Sequence, residues 1–187
     1  MSKKIILFTF LSILNLIFMT SASNAQTGNY DPENLLQIDT KYGKVVIELM
    51  PQIAPKHVER IKTLARKGFY DNVVFHRVID GFMAQTGDPT GTGTGGSELP
   101  DLKSEFSQEP HIRGALSMAR AQNPNSANSQ FFIVLKDSRF LDGQYTIFGR
   151  VIEGMEIVDQ IKKGGGANGM VASPDSMIKV RVVKDTF

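Results

Sequence analysis

At 187 residues with 41% hydrophobic side chains, the chain is long enough for one domain with a single core and does not require a second. Its small formal net charge of +2 gives no reason to expect a nucleic-acid partner, since such binding rests on a basic patch that neutralises phosphates, and the scattered Lys and Arg read as solvated surface. With no cysteine there are no disulfides and no thiol chemistry, and the core alone must hold the fold.

The first residues read as an address rather than as structure. Lys3 and Lys4 precede an apolar run from Ile5 to Met19, the length of a signal-peptide core and short for a membrane span. Small residues follow, and Ser23-Asn24-Ala25 offers a cleavage site, which predicts a signal peptide over 1–25. The alternative is a retained membrane anchor, against which Asn15 within the run argues; a lipid anchor would need a cysteine. Removing the first 25 of 187 residues leaves 162, and because the lost segment carries two lysines and no acid, the formal net charge falls from +2 to zero. Residues 26–34 read as a flexible N-terminal segment and 35–187 as the folded domain.

Within that domain Leu35 to Thr40 and Val45 to Leu49 form a first hairpin. Val45, Ile47 and Leu49 alternate with Val46 and Glu48, and Gly43 supplies the turn. A helix starts at Pro55, carries Val58, Ile61, Leu64 and Ala65 on one stripe, and ends at Gly68. Strands are predicted at Val73 to Ile79, Phe82 to Thr86, Gly114 to Met118, Gln130 to Val134, Thr146 to Val151 and Met177 to Val183. A second helix runs from Gly154 to Lys163, with Val158 and Ile161 on one side. Many short strands, two helices and no alternation of strand with helix predict a mainly β fold: a closed eight-stranded antiparallel barrel capped by two α-helices. The stretch from Gly87 to Arg113 has little period of either kind, and loops that long are often functional.

Three chemistries are disfavoured by context. Gly91-Thr92-Gly93-Thr94-Gly95-Gly96 contains G-x-G-x-x-G, but Ser97-Glu98-Leu99-Pro100 opens no helix behind it to receive a phosphate. His57, His76 and His111 lack metal-ligand spacing. No G-x-S-x-G elbow and no thiol is present, so covalent hydrolysis has no evident nucleophile. The chemistry expected therefore uses neither cofactor, metal nor covalent intermediate.

Arg77 sits in an apolar strand, where a guanidinium is costly to bury without a partner. A structural ion pair or a side chain reaching to solvent would explain it as well as catalysis would. Alternation puts Met83 and Gln85 on one face, an apolar contact beside an amide, and Gln130 and Phe132 repeat that pairing downstream.

Phe75-His76-Arg77, Gly81-Phe82-Met83-Ala84-Gln85, Ser117-Met118-Ala119-Arg120-Ala121, Ser129-Gln130-Phe131-Phe132 and Leu141-Asp142-Gly143 stand in one order along the chain. In order and spacing these motifs resemble the cyclophilins, the bacterial exported type among them, from about Leu35 to Val183. The resemblance implies a peptidyl-prolyl cis/trans isomerase in which Arg77 matches the catalytic arginine. It implies further that Phe82, Met83, Phe132 and Leu141 form the proline pocket, that Gln85 and Gln130 hold the peptide, and that Ala119 and Arg120 lie on the strand that pairs with its backbone. Three positions depart from well-known eukaryotic members: Phe140 stands for a tryptophan, Tyr145 for a pocket histidine and Arg120 for an asparagine. Phe140 keeps an apolar wall without the indole N–H, so activity is expected to survive and cyclosporin affinity to fall.

Rotation about an X-Pro bond faces a barrier of about 18 to 20 kcal/mol because resonance stiffens the C–N bond. Twisting localises the lone pair on the proline nitrogen, and a cation aimed there stabilises the twisted state above either planar one. One charge-assisted hydrogen bond is worth roughly 1.5 to 3 kcal/mol, a factor of about ten to a few hundred, so the pocket must supply much of the rest. The expected partners are proline-containing polypeptides, met in the periplasm by a monomer with no nucleic acid and, once the signal is cut, no membrane anchor. Two rivals remain: a noncatalytic peptide-binding module or chaperone, and a barrel enclosing an apolar small molecule, which would need a hollow interior.

Overall fold

In the computed structural model, which describes residues 30–186, β1 (Leu35–Thr40) and β2 (Gly43–Leu49) form the expected hairpin. On β1 the alternation is complete: Leu36, Ile38 and Thr40 are buried, whereas Leu35, Gln37 and Asp39 are half-buried. Helix α1 (Pro55–Arg66) follows, with Pro55 in its first turn and Val58, Ile61, Leu64 and Ala65 buried. It stops where Gly68 takes φ +67°, so that the N–H of Gly68 donates to Ala65 O and that of Phe69 to Leu64 O, satisfying carbonyls that a helix end leaves open. Then come β3 (Arg77–Ile79), β4 (Met83–Thr86), β5 (Ala115–Met118), β6 (Phe131–Val134), β7 (Ile147–Glu153), α2 (Met155–Gln160) and β8 (Lys179–Val182).

The eight strands make one antiparallel sheet in the order β3-β4-β6-β5-β7-β2-β1-β8. It curls around a core that includes Leu36, Ile38, Ile47, Leu116, Phe131 and Phe148, with α1 packed against β7 and β8. Phe131 meets Tyr70 and Phe148 edge to face, at ring separations of 5.7 and 5.8 Å. This interior is packed with side chains, which removes the hollow that a small-molecule carrier would need.

The expected closed barrel is corrected to an open half-barrel. β3 and β8 are the two ends of the sheet and share no ladder. The gap is crossed by one bridge, Val74 to Ser176, and by the hydrogen bonds of Asn72, Val73 and Phe75 to Asp175 and Met177. The physical reason lies in residues 164–171, which lie along the outer edge of β3 and take the groups that β8 would need. Val78 N–H donates to Gly169 O, and His76 O and Val78 O accept from Val171 and Gly164. The same arrangement shortens the strand expected from Val73 to Ile79 to three laddered residues.

α2 is also shorter than the periodicity suggests. Ile161 is extended, and Lys162 N–H donates to the Asp175 carboxylate instead of continuing the helix. Of the segment expected to be flexible, Pro32–Asn34 form a 3-10 turn whose Glu33 pairs with Lys62 and Arg66. The predicted signal peptide lies outside the described residues.

Around the sheet's β3-β4-β6-β5 end both faces carry apolar side chains. Ala84, Phe131, Ile133 and Leu116 point into the main core; Met83, Phe132, Val134 and Ala115 point the other way and gather with Leu141 and Ile147 into a second cluster. That second cluster carries the candidate site.

Candidate active site

Strand register assembles the site. Arg77 pairs with Gln85, Gln85 with Phe132 and Phe132 with Ser117, so one row of side chains crosses β3, β4, β6 and β5 on a common face. Met83, two residues from Gln85, shares that face, as alternation predicts.

The Arg77 guanidinium is half-buried and held by neutral acceptors. Its Nε donates to Asn168 O at 2.8 Å and its Nη1 to Gln85 Oε1 at 3.1 Å, with Met83 Sδ 3.9 Å away. Gln85 Nε2 then donates to Gln130 Oε1 at 2.9 Å, and Gln130 Nε2 to Gly93 O and Gly95 O at 3.1 and 2.8 Å. Each amide passes its dipole in one direction, and such chains polarise one another. None of the ion pairs among the described residues includes Arg77.

The loop that ends this relay is built on Asp88, whose buried carboxylate accepts the N–H groups of Thr90, Gly93 and Gly95 and the Thr90 hydroxyl. Burial alone would raise its pKa; the donors of Gly95, Thr90 and Gly93 bring it down to about 2. The N–H groups of Gly93 and Gly95 are thus aimed at the protein's own carboxylate, which explains physically why this G-x-G-x-x-G run is no phosphate cradle.

Next to Arg77 opens a cavity of about 140 Å³ walled by Phe82, Met83, Phe132, Leu141 and Tyr145, with Gln85, Ala119 and Arg120 at its side. Phe132 forms its floor, stacked on His111 at 6.3 Å and met edge-on by Tyr145 at 6.0 Å. His111 is fully buried, with Nδ1 3.0 Å from Asp142 Oδ1 and Nε2 3.0 Å from Ser117 Oγ. Burial holds the His111 pKa below its ordinary value, and Asp142 offsets part of that effect. The Asp142 carboxyl is itself lowered to about 2, first by Arg139 and then by the His111 N–H.

Phe140 stands at the rim, 67% exposed, with its ring 5.6 Å from that of Phe82. Arg120 and Tyr145 act as one unit: the guanidinium lies 4.5 Å over the Tyr145 ring while donating to Gln144 O, Ala121 O and Gln122 O. Two of the three departures from the eukaryotic pattern therefore support each other. Ala119 lies just past β5 and gives its N–H to Gln130 O. Gln130 is absent from the small cavity and lines a second one, about 510 Å³, that shares Gln85, Ala119 and Arg120 with the first. These two adjoining cavities together are lined by every sequence-predicted site residue except the rim residue Phe140.

A family model described as cyclophilin type peptidyl-prolyl cis-trans isomerase matches residues 35–184. The chain belongs to this family. A probable peptidyl-prolyl cis-trans isomerase of Brucella suis is 55% identical over 168 residues, covering 83% of this chain and 86% of its own length. A peptidyl-prolyl cis-trans isomerase-like 1 protein of Aspergillus fumigatus is 47% identical over 127 residues, 66% of this chain and 78% of its own. Among solved structures, a cyclophilin from Hirschia baltica superimposes with a TM-score of 0.76 at 31% identity, covering 84% of this chain and 77% of that one. A Cryptosporidium parvum cyclophilin type isomerase, crystallised in the presence of the dipeptide Ala-Pro, gives 0.73 at 33% identity, with coverages of 79% and 98%. The half-barrel described above is thus a cyclophilin fold, and the activity is peptidyl-prolyl cis/trans isomerisation.

Sequence reasoning missed the supports of the site. Asp88 could have been suspected from its place before a glycine-rich run, and His111, Ser117 and Asp142 from their polar character beside apolar strands. Asn168 contributes through its backbone carbonyl, for which side-chain identity carries no signal.

Proposed function

We propose that this cyclophilin accelerates rotation about X-Pro bonds by presenting the Arg77 guanidinium to the proline nitrogen of the twisted amide. One observation carries the reading: Arg77 is oriented by neutral acceptors with no carboxylate paired to it among the described residues, and it borders a cavity walled by Phe82, Met83, Phe132, Leu141 and Tyr145, with Gln85 and Arg120 at its side. A cation without a counter-charge, held beside apolar walls, interacts strongly with a developing lone pair, and more with the twisted state than with a planar amide.

In this mechanism Phe82, Met83, Phe132 and Leu141 hold the proline ring, and Phe140 and Tyr145 extend the wall. Gln85 and Gln130 orient Arg77 and bind the residues before proline, while Ala119 and Arg120 border the peptide's path along the groove. No bond is broken and no proton is transferred; the residues bind, orient and exclude water.

The substrates are unfolded or partly folded exported proteins, and the site of action is the periplasm, reached by cleavage of 1–25. The apolar run behind Lys3 and Lys4 supports that reading, and the mature monomer then carries no anchor. Detecting a periplasmic protein that begins at Gln26 tests it; a full-length protein in the membrane fraction contradicts it.

Exchange spectroscopy on an X-Pro peptide tests the catalytic reading. The protein accelerates exchange, and Arg77→Ala lowers that acceleration by about ten- to a few hundredfold. A purely peptide-binding module would leave exchange unchanged by the substitution.

A further inference from the structure

Residues 164–171 cover the edge of β3, which would otherwise offer unpaired backbone groups. One contact goes beyond edge cover. Asn168 O accepts Arg77 Nε at 2.8 Å, and the Asn168 side chain accepts Met170 N–H at 3.2 Å in a local turn that helps set the carbonyl's direction. A guanidinium is a rigid planar fork, so acceptors on Nε and Nη1 together fix its plane. Gln85 Oε1 alone would fix only one point of it.

What keeps Asn168 in place is its neighbour. Gly169 has φ +70°, and a Cβ there would stand 2.3 Å from Ile79 Cγ1 and 3.0 Å from Val78 O. The first atom is close to the backbone and the second belongs to it, so neither can step aside cheaply. Only glycine lets this stretch approach β3 closely enough for Gly169 O to accept Val78 N–H at 2.7 Å. Gly165 differs: its φ is ordinary and a Cβ would meet nothing within 4 Å.

We infer that Asn168, through its carbonyl, and Gly169, through its missing side chain, are positioning residues for catalysis. They hold the plane of the Arg77 guanidinium in register with the twisted amide. The inference rests on Arg77 being the catalytic donor. Rate and binding are measured separately, because Ile79, which a Cβ at position 169 would meet, also packs against the cluster of Met83 and Phe132; a loss of affinity as large as the loss of rate would place the effect in the pocket and overturn the inference.

The test compares the full chain with Gly169→Ala, Gly165→Ala and Arg77→Ala, measuring X-Pro exchange, affinity for the same peptide, and the Arg77 Nε–Hε NMR signal. Gly169→Ala is expected to lower kcat/KM about ten- to a hundredfold, mainly in kcat, since misplacement by about 1 Å has effects of that order. Peptide affinity stays within about twofold, and the Nε–Hε proton exchanges faster with water. Gly165→Ala leaves all three unchanged. The inference is overturned if Gly169→Ala keeps its rate, or if Gly165→Ala loses as much. It is also overturned if Nε–Hε in the unmutated chain exchanges as freely as in an unbonded arginine, a result that decides the matter even when Gly169→Ala does not fold. Full activity in Arg77→Ala would instead overturn the assignment of Arg77 itself.

Discussion

Two sets of polar side chains cross the sheet, and they differ in kind. Over β8, β1, β2 and β7 every cation faces an acid: Arg181 meets Asp39 at 2.8 Å, Arg150 meets Glu48 at 2.8 Å, Lys44 meets Glu153 at 3.1 Å and Lys179 meets Asp71 at 2.7 Å. Over β3, β4 and β6 a single cation, Arg77, meets amide oxygens and the Met83 sulfur but no carboxylate. Ion pairing quenches a charge; solvation by fixed neutral dipoles orients it and leaves it whole. The first set decorates a surface, with each exposed pair worth about 0 to 1 kcal/mol. The second keeps a charge ready for a substrate that has none of its own.

The largest effect expected is on the apolar floor beneath the second set. Phe132→Ala should cost about 3 to 5 kcal/mol of stability in urea titrations and weaken peptide binding, because it opens a void between His111 and Tyr145. A loss under about 1 kcal/mol would show that the floor collapses without consequence.

Gln85→Glu converts the second kind of set into the first with almost no change of shape. A carboxylate 3.1 Å from Arg77 Nη1 would compete with the amide nitrogen, so kcat/KM should fall at least about tenfold in a folded protein. Unchanged turnover would make the missing counter-charge incidental.

Acid should weaken the fold in two stages. His57, His76 and His111 are held below the ordinary value of 6.5, chiefly by burial. The unfolded chain therefore binds more protons, and their contribution, complete above pH 6.5, is lost as pH falls through that value toward the lowered folded pKa values. Asp88, Asp142 and Glu33 titrate at about 2, against 3.8, 3.8 and 4.5 ordinarily, so their contribution is present above that range and disappears as pH falls toward 2. Urea midpoints at about pH 7.5, 5.5 and 3 should decrease in that order. A midpoint that rises from pH 7.5 to 5.5 would contradict the first stage.

Smallest is the ion-paired surface. Arg150→Ala should change stability by less than about 1 kcal/mol and leave exchange unchanged.

Much of this architecture was legible in the sequence because alternation and helical spacing report which face is buried. Leu36 and Ile38 on β1 and the stripe of α1 follow that logic directly. Closure was not legible. Residues 164–171 have no period, and their capture of the His76 and Val78 groups is a competition among distant segments that no local pattern records. The site divides the same way. Side chains such as Arg77, Gln85 and Phe132 were visible through motifs, while Asn168 acts through a carbonyl 91 residues along the chain from its partner. Arg120 and Tyr145 looked like two separate departures; only their stacking reveals one compensated change.

Whether the uncompensated Arg77 charge lowers the rotation barrier is decided by X-Pro exchange at saturating peptide in the unmutated protein and in Arg77→Ala. The kcat of the variant is expected to be lower by about ten- to a few hundredfold, with peptide affinity changed only modestly. An equal kcat in the two proteins would contradict it.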